Sequence, residues 1–105
     1  MAGPRITASV LKVLAALLAA PSDERYGLQL MQDTGLASGT LYPILVRLER
    51  AGWVQSQWEE IDPAAEGRPS RRYYQLTTDG AVHARREVTL MREQMTRSLG
   101  RVAEA

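Results

Sequence analysis

The chain has 105 residues, enough for one domain with a modest core and too few for two ordinary ones. Thirteen basic residues stand against twelve acidic, a net charge of +1, so no overall field draws the protein to nucleic acid and any such attraction must come from local clusters. Cysteine is absent and histidine occurs once, at His83, which excludes disulfides and thiolate metal sites and leaves too little for zinc or imidazole catalysis; no metal and no cofactor is expected.

Val10, Leu11, Val13, Leu14, Leu17 and Leu18 recur at i, i+3, i+4, i+7, which predicts a first helix from Ile6 to about Ala20, capped by Thr7 and stopped by Pro21. Lys12 interrupts this apolar run, and its helical spacing reads as a core helix of a cytoplasmic protein rather than a secretory leader. No run approaches the length needed to cross a bilayer, so no membrane partner is expected. Ser22 or Asp23 can cap a short second helix, Arg25 to Thr34, whose apolar positions are Tyr26, Leu28, Leu30 and Met31 and whose stop is Gly35. Only Gly35 to Ala37 separate it from the next helical pattern, so the two must be joined by a tight turn, as in a helix-turn-helix.

The stretch Ala37 to Gly52 is the most informative in the chain. Leu41, Ile44, Leu45 and Leu48 form an apolar stripe, Ser38 is positioned to cap, and Gly52 to terminate. The opposite face carries Ser38, Thr40, Tyr42, Val46, Arg47 and Arg50, including the hydroxyls, phenol and guanidiniums that reach phosphates and base edges. Pro43 forfeits one backbone bond if the helix starts at Ser38 and none if it starts at Thr40, so a distorted first turn is expected.

Beyond Gly52 the period changes to two. Val54, Ser56 and Trp58 alternate with Gln55, Gln57 and Glu59, and Arg72, Tyr74 and Leu76 alternate with Arg71, Tyr73 and Gln75, which predicts two strands. Asp62 to Ser70, with two prolines and a glycine, reads as the loop between them. Three helices followed by such a hairpin make a mainly α fold, the winged helix-turn-helix, with the hairpin as wing. The helical period then returns from Thr77 to about Leu99, with Thr77 or Thr78 as cap and Gly100 marking fraying. Ala81, Ala84, Val88, Met91 and Met95 fall on a heptad seam widened by Leu90 and Leu99. Such a helix is about 30 Å long or more, longer than the small domain can cover. It is read as a dimerisation helix, residues 77–105, following a DNA-binding domain, residues 1–76; the plain alternative is a helix packed on its own domain.

The segments GTLYPILVRLERAGWV and RRYYQLTTDG are similar to a G-T-L-Y-P-L-L-x-R-L-E-x-x-G core and an R-x-Y-Y-x-L-T-x-x-G wing end, and on them the chain resembles the PadR family of bacterial transcriptional regulators, short-tailed type. The matches are Gly39, Thr40, Leu41, Tyr42, Pro43, Leu45, Arg47, Leu48, Glu49 and Gly52, then Arg72, Tyr73, Tyr74, Leu76, Thr77 and Gly80. The chain departs from many members in a shorter segment before the core and in the order Tyr26, Gly27, Leu28 on helix two. The resemblance implies a winged-helix homodimer on double-stranded operator DNA, usually a repressor, released by a small-molecule effector or another signal. It also implies that Ser38, Thr40, Tyr42 and Arg47 face DNA.

Arg68, Arg71 and Arg72 form the densest basic cluster, suited to phosphate or minor-groove contact from the wing; the alternative is that they neutralise Glu59, Glu60, Asp62 and Glu66. Trp53 and Trp58 are expected in the core, with the wall of a ligand cleft as the other option, and His83 is expected exposed. With no paired acid and base, no metal cluster and no glycine-rich phosphate loop, the chain does not read as an enzyme. The competing class is a winged-helix module that binds protein instead of DNA, which would not need arginines on both helix three and the wing.

Overall fold

The computed structural model describes residues 3–104. Its elements run α1 (Ala8–Leu18), β1 (Arg25–Tyr26), α2 (Gly27–Thr34), α3 (Ser38–Arg50), β2 (Val54–Trp58), α4 (Pro63–Glu66), β3 (Arg72–Leu76) and α5 (Thr78–Glu104). The strands form one antiparallel sheet in the order β1-β3-β2, with Val54 opposite Leu76 and Trp58 opposite Arg72. This is a winged helix-turn-helix with a long final helix.

Each apolar stripe meets the others in one core. Val13, Leu14 and Leu17 of α1, Leu30 of α2, and Leu41, Ile44, Leu45 and Leu48 of α3 are buried together with Trp53, Val54, Tyr74 and Leu76 from the sheet. Thr7 caps α1 by accepting from the Val10 amide at 3.2 Å, and Gly35, at φ 73°, closes α2. Gly52, at φ 79°, closes α3. There the Gly52 amide donates to the Glu49 carbonyl and the Trp53 amide to the Leu48 carbonyl, at 3.0 and 2.9 Å. This pair of bonds is the Schellman arrangement, which turns the chain directly from α3 into β2.

Several expectations are corrected. Helix two begins at Gly27, because Arg25 and Tyr26 add a third strand by pairing with Tyr74 and Tyr73. Leu28, expected on its apolar face, is 64% exposed. Ser38 does not cap α3; Ala37 holds that position, its carbonyl accepting from Thr40 and Leu41, and the helix runs unbroken through Pro43. The missing proline N–H falls opposite the carbonyl of Gly39, an exposed residue in the first turn where water can replace the lost donor. The loop after β2 contains the short α4, capped by Asp62, started by Pro63 and ended by Gly67 at φ 67°.

The last helix is longer than expected and does two things. It reaches Glu104, with Gly100 inside it, and over 27 residues it extends about 40 Å in a molecule measuring 62 × 30 × 24 Å. Its first turns belong to the domain: Thr77 caps it through the Gly80 amide at 2.9 Å, and Ala81 and Ala84 join the core, with Val88 packed against it. Ala81 and Ala84 are therefore corrected as dimer contacts, since their side chains are already covered by their own chain. The boundary between domain and projecting helix lies inside α5 instead of at residue 77.

Gly80 is where α5 presses hardest on the sheet. A methyl there would overlap the Trp53 carbonyl and stand 2.7 Å from Trp53 Cα. That carbonyl accepts from the Thr77 amide at 3.0 Å, and the Thr77 hydroxyl donates to the Gly52 carbonyl at 2.7 Å. Trp53 is buried as expected, but His83 is not free: its ring stacks on Trp53 with centroids 4.7 Å apart and planes 2° from parallel.

Candidate nucleic-acid interface

With Leu41, Ile44, Leu45 and Leu48 turned inward, the helical period leaves Ser38, Thr40, Tyr42, Val46, Arg47 and Arg50 exposed on α3. Tyr42 is the most constrained of them. Its ring lies across the start of α2 at Gly27, where an added Cβ would stand 2.9 Å from Tyr42 Cζ. Only glycine allows this approach. It leaves Tyr42 40% exposed, beside a groove of about 260 Å³ lined also by Tyr26, Leu28, Arg71, Arg72 and Tyr74. The structure thus brings together one α3 residue and two wing arginines that lie about 30 positions apart in sequence.

The three wing arginines have three different environments. Arg72 donates to the Ser56 hydroxyl from Nε and Nη2 at 3.0 and 2.8 Å, lies 3.8 Å from the Glu49 carboxylate of α3, and crosses the ring of Trp58 at 5.4 Å. It ties the wing to α3 while remaining exposed. Arg71 lies over the Tyr26 ring at 5.0 Å, and no carboxylate among the described residues pairs with its guanidinium. Arg68 is committed elsewhere: Nη1 and Nη2 donate to the two oxygens of Glu59 at 2.6 and 3.0 Å. Arg68 is thus paired with Glu59 as the neutralisation reading expects, while its side chain stays 30% exposed.

Glu59 is the residue that sequence reasoning underrated, having treated it as one of several neutralising charges. Its side chain is 10% exposed, accepts from the Arg71 amide at 3.3 Å, and lies 3.0 and 3.2 Å from the hydroxyls of Tyr26 and Tyr73, which are 2.5 Å from each other and have two protons for the three contacts. The Arg68 guanidinium, helped by these donors and opposed by desolvation, holds the Glu59 carboxyl down to about 2. The hydrogen bond to the Tyr26 hydroxyl, then burial and Glu59, push the Tyr73 phenol upward, and burial raises Tyr74. A depressed carboxylate contributes stability above its ordinary value of 4.5 and loses it as pH falls through about 2. The wing is therefore expected to keep its contacts at pH 4, where ordinary carboxylates already titrate, and to open on approach to pH 2. Amide exchange at Arg71 along a pH series, corrected for intrinsic rates, checks this; opening centred near pH 4.5 would contradict it.

Trp58 corrects another expectation: it is 60% exposed on the wing, outside the core, where it borders a groove of about 380 Å³ with Glu24, Gln57, Glu60 and Tyr73. No group of acidic or histidine side chains among the described residues is arranged to hold a metal, and no helix is long and apolar enough to cross a membrane.

Comparison with known proteins agrees with this geometry. A PadR-like transcription factor from Bacteroides fragilis superposes with a TM-score of 0.65 at 21% identity, covering 90% of this chain and 91% of that one. A PadR-like transcriptional regulator from Bacillus cereus gives 0.65 at 18% identity, over 89% and 91%. Bordetella bronchiseptica BpsR, whose DNA binding is regulated by 6-hydroxynicotinic acid, gives 0.70 at 21% identity, over 90% of this chain and 61% of that one. At these identities the likeness is one of fold. No curated protein matches the chain. The model of the transcriptional regulator PadR-like family, however, matches residues 13–86, from the middle of α1 to the buried part of α5. The chain therefore belongs to the PadR-like family, whose members are winged-helix, DNA-binding transcriptional regulators and not enzymes.

Proposed function

We propose that the protein is a homodimeric repressor that reads an inverted-repeat operator with α3, grips the flanking backbone with the wing, and lets go when a signal acts. The observation that carries this reading is the exposed polar face of α3 running into the groove that Tyr42 shares with Arg71 and Arg72. A module that bound only protein would have no use for unpaired guanidiniums on both elements. In this reading Ser38, Thr40 and Arg47 approach bases or phosphates, and Tyr42, Arg71 and Arg72 hold the backbone. The dimer forms through the part of α5 beyond the core, where Leu90, Met91, Met95 and Leu99 are exposed in one chain. Two reading helices related by a two-fold axis suit half-sites about 34 to 36 Å apart.

Release by a small molecule is proposed by analogy with BpsR. A groove of about 560 Å³ between the α1–β1 turn, the outer sheet face and α5, bordered by Ser22, Gln75, Thr77 and Arg85, is of suitable size. Such a regulator works in the cytoplasm, where the DNA is.

The test is a mobility shift on the DNA upstream of the protein's own gene, against unrelated duplex, over a salt series. Arg47→Ala should cost about 1 to 3 kcal/mol on the specific site and much less on random DNA if Arg47 reaches a base. Equal losses on both would reassign Arg47 to phosphate contact. Equal affinity of the unmodified protein for both DNAs would remove the operator from the proposal.

A further inference from the structure

We infer that Glu59, an acid that does not line the Tyr42 groove, is a positioning residue for DNA binding: it fixes Arg71 at both ends. One carboxylate takes four donated bonds, two from Arg68, one from the Arg71 amide and one from the tyrosine pair, in which the Tyr73 hydroxyl meets the Tyr26 hydroxyl at 2.5 Å and the Tyr26 hydroxyl meets Glu59 at 3.0 Å. That fills the acceptor capacity of a carboxylate. The tyrosines it holds are stacked with centroids 4.3 Å apart, and on the outer one, Tyr26, rests the Arg71 guanidinium. Glu59 thus fixes the backbone of Arg71 through its amide and the ring beneath its side chain through the Tyr26 hydroxyl. The three segments it joins are β1 at the head of α2, the wing loop at Arg68, and β3 at Tyr73. Arg71 borders the same groove as Tyr42.

Charge alone and positioning predict opposite results. By charge, removing an anion beside a DNA-binding face, and freeing Arg68 with it, tightens binding and steepens its salt dependence. By positioning, the loss frees Arg71 to sample other rotamers and weakens binding, even though the protein becomes more positive. The inference rests on the reading of α3 and the wing as the DNA-facing surface, and the experiment separates the two.

Full-length wild type, E59Q, R71Q, the double variant and E59D are titrated with a duplex of random sequence over a salt series, since a phosphate contact needs no operator. R71Q is expected to weaken binding and lower the salt slope by about one. E59Q is expected to weaken it about tenfold, the size of coupling within one hydrogen-bonded network, and to add little in the R71Q background. E59D should recover part of the loss. Amide exchange at Arg71 in the free protein should quicken in E59Q, with the melting curve showing that the core persists. If R71Q weakens binding while E59Q does not, or the two losses simply add, the positioning role is overturned and the DNA-facing reading survives. If R71Q has no effect, or wild type binds no duplex, the reading itself fails and Glu59 has nothing to position.

Discussion

Gly80→Ala is expected to destabilise the protein by about 3 kcal/mol or more, lowering the melting temperature by more than about 10 °C. The atoms a methyl would meet are the Trp53 carbonyl and Cα, which are backbone and cannot rotate aside. Relief requires parting α5 from the start of β2. That movement withdraws Ala81 and Ala84 from the core, breaks the Thr77 bond to the Trp53 carbonyl, and separates His83 from Trp53. For a domain whose total stability is of order 5 to 15 kcal/mol, this is a large share. Gly100→Ala is the matched control. It sits in the same helix with nothing near its added Cβ, and it should stabilise by about 0.5 to 1 kcal/mol. Thermal unfolding followed by circular dichroism compares the two. A Gly80→Ala protein melting with the wild type would show that the α5 to β2 contact can yield without cost.

Met91→Glu is expected to dissociate the proposed dimer and reduce affinity for a two-half-site operator by about 10² to 10⁴, while leaving the winged domain folded. Met91 stands beyond the point where α5 leaves the core and belongs to an exposed apolar strip with Leu90, Met95 and Leu99. A carboxylate there loses nothing in an isolated chain, but in a two-helix seam it is buried without a partner. Sedimentation equilibrium and a mobility shift measure the two effects. A duplex carrying one half-site serves as control, since its affinity should hardly change. A Met91→Glu protein that remains dimeric would move the interface off α5 altogether.

The sequence made the helices, the wing strands and their stops legible because each rests on local physics: apolar period, a capping hydroxyl at Thr7, glycines at positive φ at Gly35 and Gly52. What it hid was decided by distant partners. Arg25 and Tyr26 look helical by pattern but become a strand because β3 offers a free edge. Ala81 and Ala84 fit a heptad seam equally well whether α1 or a second chain covers them, and period alone does not say which. The same holds at the candidate site. Arg68, Arg71 and Arg72 read as one cluster in the chain, yet one is paired with Glu59, one is laid on Tyr26, and one is braced against Ser56. The Gly27 to Tyr42 approach left a faint trace, a glycine opening a short helix, whose meaning only the neighbour supplied.

Because α5 is unbroken from its core-bound alanines to its exposed tip, the chain has no slack between the part that packs in the winged domain and the part that stands free. A tethered pair of heads on flexible linkers would tolerate any spacing of half-sites. A rigid lever does not: a few degrees of tilt where α5 meets α1 become a displacement of ångströms at the far end, enough in the proposed dimer to take two heads out of register with the turn of the double helix. In the proposed dimer, control of DNA binding needs no rearrangement of α3 at all, only a wedge at the fulcrum.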